Sequence, residues 1–225
     1  MTNLEFKTNT SKIVQGIEQA IDLFSNTWKV TYGLFLHTEY LTQFVEYSRA
    51  GFKSGFPIYG LASECKTKID VDFHGIKELK RLFLELEQCN FIWTTALQKQ
   101  VCSCIENLPF SEILLLMGQR LSSTSLRNIE ALPPKKATLL KACFTPFNTH
   151  MSMAVRAWEK HAERSEDMFW PKRKGNAEYK ETMMLIFVEQ FLEGRVWWNV
   201  YSHQKHGYVF ELRIKTGHGM RWTKN

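Results

Sequence analysis

The segment Tyr208-Val-Phe-Glu-Leu-Arg-Ile-Lys-Thr-Gly-His-Gly-Met-Arg-Trp222 alternates apolar and charged residues on both sides of a glycine-rich turn. Successive side chains of a strand point to opposite faces of its sheet. Tyr208, Phe210, Leu212 and Ile214 therefore share one face, and Val209, Glu211, Arg213 and Lys215 the other. Beyond the turn, Met220 and Trp222 match the first set and Arg221 the second. A hairpin follows, and a slip of one residue would bury its charges. A three-residue loop over Thr216, Gly217 and His218 pairs Ile214 with Met220, Leu212 with Trp222 and Arg213 with Arg221, with Gly217 or Gly219 supplying a positive φ. Two opposed arginines repel unless a negative group lies between them. Glu211 or a bound phosphate or carboxylate would meet that need.

Working backwards, Arg195 to His203 reads as a third strand turning at Ser202 to Gly207. It adds Val196, Trp198 and Val200 to the apolar face and sets Trp197, Asn199 and Tyr201 beside Glu211 and Arg213. Ahead of it, Ala177 to Glu193 is an apolar helix with Asn176 as its cap and Gly194 as its stop. Pro171 and Gly175 bracket Lys172, Arg173 and Lys174, three cations at a helix entrance whose N–H groups favour an anion. The Gly-x-x-x-x-Gly-Lys-Ser/Thr spacing of a nucleotide-binding loop is missing there, so NTP hydrolysis is not indicated.

Residues 1–146 read as a helical region. Stripes at helical spacing mark Ser11 to Phe24, Thr38 to Ala50, Ile76 to Cys89, Phe91 to Leu108 and Lys136 to Phe144. Trp28 to Leu36 fits helix or strand, and Gly51 to Phe73 reads as loops. A helix over Asn148 to Arg164, capped by Asn148, opens a second part, 147–225. The fold class expected is α+β: a mostly helical N-terminal part, then a C-terminal helix and a three-stranded antiparallel β-meander. Glu112 to Ile129 has the pattern of a DNA-reading helix-turn-helix, with Leu121, Leu126 and Ile129 as its buried positions. It departs from that pattern at Leu116 and Arg120, where a small residue and a glycine are favoured.

The chain of 225 residues is 44% hydrophobic and 13% aromatic, which places it among globular proteins and not disordered ones. Its net charge of +6 is concentrated at one end: from Pro171 to Asn225, Lys and Arg number 10 against 5 Asp and Glu. A polyanion is the partner such an excess fits. Met1 to Lys7 lacks a signal pattern, and the apolar runs Ile113 to Met117 and Met183 to Val188 are too short for a bilayer span, so a cytoplasmic protein without a membrane partner is expected. Five cysteines without a Cys-x-x-Cys pair point to reduced thiols.

The expected anion or nucleic-acid contacts are Lys172, Arg173, Lys174, Trp197, Arg213 and Arg221. The candidate acid-base groups are His203, His206, Glu211 and His218. The same imidazoles and carboxylate suit zinc, yet His203 and His206 lie at one turn and His218 at the next, roughly 25 Å apart along the strand. No metal and no cofactor is therefore expected. Tyr208-Val-Phe-Glu-Leu-Arg-Ile214 resembles the strand of RelE-type and HigB-type ribosome-dependent RNase toxins, where it precedes a strand ending in arginine; the resemblance is confined to this segment and implies ribonuclease chemistry. Three functions emerge: a binding protein whose C-terminal module contacts nucleic acid, a metal-independent ribonuclease, and an interaction subunit that meets an acidic protein.

Overall fold

The computed structural model describes residues 3–56, 73–164, 169–171 and 174–224. Helices α1 (Asn3–Gln19), α2 (Asn26–Tyr32), α3 (Thr38–Ser54), α4 (His74–Gln88), α5 (Thr95–Asn107), α6 (Phe110–Leu116) and α7 (Lys136–Cys143) form the N-terminal part. Leu79, Leu82, Phe83 and Leu86 of α4 are buried at the spacing that predicted this helix. The ambiguous stretch from Trp28 resolves as helix: α2 is capped by Ser25, whose Oγ accepts from the Trp28 N–H. Helix α1 begins earlier than its apolar stripe, because Arg49 of α3 draws in its first turns. That buried guanidinium donates to the Phe6 carbonyl at 2.9 Å and Thr10 Oγ1 at 2.8 Å, and pairs with Glu87 of α4. Most of the loop stretch read from Gly51 onward, residues 57–72, lies outside the described residues.

A short hairpin of β1 (Pro146–Asn148) and β2 (Met151–Ser152) precedes α8 (Met153–Arg164). This corrects the expected role of Asn148. Its Oδ1 accepts from the His150 and Met151 N–H groups and closes the hairpin turn, while Ser152 Oγ takes the capping bond from Val155. Helix α9 (Ala177–Glu193) starts as read, with Asn176 Oδ1 accepting from the Tyr179 N–H at 2.9 Å.

Strands β3 (Arg195–His203), β4 (Gly207–Ile214) and β5 (Gly219–Lys224) form an antiparallel sheet in the order β3-β4-β5. The architecture is the expected α+β, with the meander next to α9. Trp198, Val200, Phe210 and Leu212 join one hydrophobic cluster with Ile13, Phe44 and other helical residues, so sheet and helices share a core. Two polar seams tie them further: Met117 carbonyl accepts from Trp198 Nε1 at 2.9 Å and Gln43 Nε2 at 2.8 Å, and Arg195 Nη2 donates to Gln43 Oε1 at 3.0 Å.

The hairpin register differs from expectation by two residues. Glu211 faces Arg221, Leu212 faces Met220 and Arg213 faces Gly219. The faces survive, because a two-residue shift keeps parity. The loop still has three residues, now Lys215 to Gly217: the Ile214 N–H bonds to the His218 carbonyl, and Gly217 takes φ +88°. Gly219 shows why this register wins. A Cβ there would lie 2.5 Å from the Leu212 carbonyl oxygen and 2.9 Å from Arg213 Cγ, so the site opposite Arg213 accepts only glycine. The expected opposition of Arg213 and Arg221 is thereby replaced by a carboxylate–guanidinium pair.

The helix-turn-helix expectation is overturned. Helix α6 stops at Leu116, Gly118 takes φ +98°, and no helix follows until a single 3-10 turn at Ile129–Ala131. The segment between serves as an edge strap for β3: Arg120 N–H bonds to the Trp198 carbonyl, Leu126 N–H to the Val200 carbonyl, and Ser202 N–H to the Thr124 carbonyl. Backbone groups that would stay unpaired at the sheet edge are satisfied this way. Among the described residues, no helix is long and apolar enough to cross a membrane.

Candidate functional site

The polar face of the sheet carries one buried charge. Glu211 is only 6% exposed, and both its oxygens are engaged. Tyr201 Oη donates to Oε2 at 2.7 Å, Arg213 Nε to Oε1 at 3.1 Å, and Arg221 Nε and Nη2 to Oε2 at 3.1 and 2.8 Å. Burial alone would raise the carboxyl, but the Tyr201 hydrogen bond and the Arg221 and Arg213 guanidinium groups prevail and hold it below the usual carboxylate range. Burial, then the bond to the carboxylate, push the Tyr201 phenol up to about 12. Glu211 is thus a fixed anion that aims two arginines. Both remain substantially exposed, Arg213 lying over the Trp197 ring and Arg221 over Tyr201.

Trp197 itself is buried beneath Arg213, which removes it as a stacking platform for bases. Asn199 is also buried. Its Nδ2 donates to Ser122 Oγ and Ser125 Oγ, and its Oδ1 accepts from Gln119, so the strap closes the β3 side of this face. The β5 side is open.

There a cleft of about 730 Å³ runs around β5 toward α8 and α9. Arg213, Glu211, Arg221 and His161 supply its polar lining; Met153, Ala157, Met184, Met220 and Trp222 supply apolar lining. Met153, Ala157 and His161 recur at i, i+4 and i+8, so α8 presents one stripe to the cleft that runs from apolar to polar. His161 stacks on Trp170, with ring centroids 5.2 Å apart. His218 stacks flat on Phe169 at 3.6 Å, meets Trp170 edge-on at 6.1 Å, and has Nδ1 2.9 Å from Thr216 Oγ1. Two imidazoles therefore pack on the same indole; His161 and Trp170 line the cleft with the arginines, and His218 lies between the lining residues Gly217 and Gly219.

The four acid-base candidates are split by the fold. Glu211 and His218 belong to the cleft end of the sheet. His203 and His206 lie at the β3–β4 turn, ring centroids 4.8 Å apart, at the opposite end of β4. Lys174 is exposed, while Lys172 and Arg173 lie outside the described residues. Sequence reasoning missed His161 and Trp170, and it placed Tyr201 beside Glu211 without assigning it a role. His161 and Trp170 belong to elements whose approach to β5 is a tertiary event; the parity that set Tyr201 on the face of Glu211 holds, and the hydrogen bond between them is what the structure adds.

The four described cysteines are unbonded, and burial pushes the Cys102 and Cys104 thiols up to about 11 and about 12, which suits packing and not nucleophilic chemistry. Among the described residues, no group of three or more His, Cys, Asp or Glu is arranged to hold a metal ion.

Residues 142–225, which hold α8, α9, the sheet and the whole cleft lining, match the family model described as the CdiA C-terminal tRNase toxin domain. No curated protein and no solved structure matches the chain.

Proposed function

We propose that this chain is a ribonuclease that cuts tRNA in the cleft beside β5, with Arg213, Arg221, His161 and His218 as its working groups. The observation that carries this reading is the pairing of two exposed arginines, fixed by a buried carboxylate, with two imidazoles on one indole, all within the stretch that resembles a tRNase domain. The match reverses the order of the sequence expectations: cutting now stands ahead of binding alone.

The chemistry suited to these groups is transesterification within the RNA. The 2′-oxygen attacks the adjacent phosphorus, the bond to O5′ breaks, and the products end in a 2′,3′-cyclic phosphate and a 5′-hydroxyl. One imidazole accepts the 2′-hydroxyl proton and the other protonates the departing O5′. Arg213 and Arg221 stabilise the charge gathering on the non-bridging phosphate oxygens. Glu211 is a positioning residue and not the base, because an ionised carboxylate with both oxygens bonded has little basicity left. His203 and His206 stand outside this scheme.

Purified protein incubated with total tRNA tests the reading. Discrete cuts bearing 2′,3′-cyclic phosphate ends are expected, with Arg221→Ala and His218→Ala each slowing cleavage about 100-fold or more. Intact tRNA across buffer and metal conditions, with salt-dependent binding retained, would return the protein to the nucleic-acid-binding class; loss of both would leave an acidic protein as the partner for the arginines.

A further inference from the structure

We infer that the apolar part of the cleft, between α8 and β5, receives one unstacked nucleobase, so that the RNA is cut next to an unpaired nucleotide and not within a duplex. This rests on the ribonuclease reading and adds to it a substrate class. A phosphate needs only the arginine end. The remaining lining has a different chemistry: Met153 and Ala157 from α8, Met220 and Trp222 from β5, and Met184 and Val188 from α9 offer apolar surface, with Trp222 joining Trp158 and Trp170 as the indoles of the cleft.

The position of that surface relative to the charges supports a nucleotide. Along α8, His161 lies eight residues from Met153, about 12 Å at 1.5 Å per residue. His161 stacks on the Trp170 ring that also meets His218, the neighbour of Gly219 opposite Arg213, whereas the Met153 N–H bonds to the Thr145 carbonyl, two residues from Cys143, whose Sγ accepts from Trp222 Nε1. A ligand in the cleft therefore meets guanidinium groups and apolar side chains side by side, which suits one that is anionic in one part and apolar in another. A volume of about 730 Å³ falls within the roughly 300–1,000 Å³ of small-molecule sites, larger than a phosphate requires. Methionine and tryptophan side chains are suited to the faces of an aromatic ring and tolerate different bases. A base held in a helical stack has its faces covered by its neighbours and cannot reach this surface without leaving the stack.

A binding measurement separates this inference from the reading beneath it. A trinucleotide made uncleavable by 2′-O-methyl groups is compared with the same trinucleotide lacking its central base, by fluorescence anisotropy at low salt. The intact form is expected to bind about 5- to 150-fold more tightly. Ala157 is exposed on α8, so Ala157→Trp fills the slot at little risk to the fold; it should bring the intact form down to the abasic level and leave the abasic form unchanged. Equal affinities for the two forms in the unaltered protein, both weakened by Arg221→Ala, would overturn the base slot and leave the ribonuclease reading standing. Failure of both forms to bind, together with uncut tRNA, would remove both. A single RNA carrying the same nucleotide in a loop or in a stem gives the matching result in cleavage: the loop is cut and the stem is not.

Discussion

Replacing Glu211 by glutamine tests whether the buried carboxylate aims the arginines. The side chain keeps its shape but loses the charge that Arg213, Arg221 and Tyr201 address. A hydrogen bond to a charged group contributes about 1.5–3 kcal/mol when well shielded. Here both guanidinium groups are partly exposed, at 36% and 51%, so solvent screening cuts each contribution to a fraction of that. A net loss of about 1–3 kcal/mol at pH 7 is expected, which for a chain of this size lowers Tm by about 2–10 °C. The pH dependence follows from the direction of the shift. Glu211 titrates lower in the folded protein than in the unfolded chain, where glutamate has a pKa of about 4.3, so its contribution is present above that value and is lost as pH falls through the lower, folded value. Denaturant titrations should therefore show the gap between the two proteins in full at pH 7 and shrinking below about pH 4. The same variant has one negative charge fewer beside the arginines, so tRNA binding at low salt should hold or strengthen while cleavage drops at least about tenfold. A gap that is equal at pH 3 and pH 7, or an unchanged cleavage rate, would refute the positioning role.

The imidazoles give a sharper contrast: His161→Ala should slow cleavage about 100-fold or more, whereas His203→Ala with His206→Ala at the far turn should change it less than about threefold in the same gel assay. Cleavage by these groups should persist in excess EDTA; abolition by chelation and restoration by a divalent cation would replace the imidazole scheme with a metal-assisted one. Arg213→Ala should reduce the slope of log affinity for single-stranded RNA against log salt by about 0.7, the value for one phosphate contact. Asn199→Ala leaves Gln119, Ser122 and Ser125 without their buried partner and should cost about 1–3 kcal/mol in urea denaturation, without altering the salt slope.

Local signals carried most of the fold. The Asn176 cap, the α4 stripe and strand parity each depend on residues within one or two turns of one another, and all three recur in the structure. Hairpin register was only half legible. Parity separates the faces, but a two-residue shift leaves both faces intact, and the choice turned on the space opposite Arg213 and on the Glu211–Arg221 pair. The helix-turn-helix pattern misled because Leu121, Leu126 and Ile129 have the same spacing whether the chain coils or lies along a sheet edge; the bonds from Arg120, Thr124 and Leu126 to β3 decide it, and they are tertiary. For the site, the charged face of β4 and β5 was legible, and the contribution of α8 was not, since nothing near His161 in the chain announces that it will stack on Trp170.

The two edges of the sheet explain where a ligand can approach. A three-stranded sheet has two rows of unpaired backbone groups, and both invite foreign strands. At β3 the strap from residue 119 to 126 bonds to the edge and sets Ser122 and Ser125 against the buried Asn199, so that side of the polar face is covered. Among the described residues no strand pairs with the outer side of β5. Instead α8 stands off from it and leaves the cleft, with Arg221 on one face of the edge strand and Met220 and Trp222 on the other. A molecule entering at β5 therefore meets charge and apolar surface within a single strand's width. That alternation is the same period-two pattern that marked the segment in the sequence, and it is why one short edge strand presents charge on one face and apolar surface on the other, as the proposed nucleotide site requires.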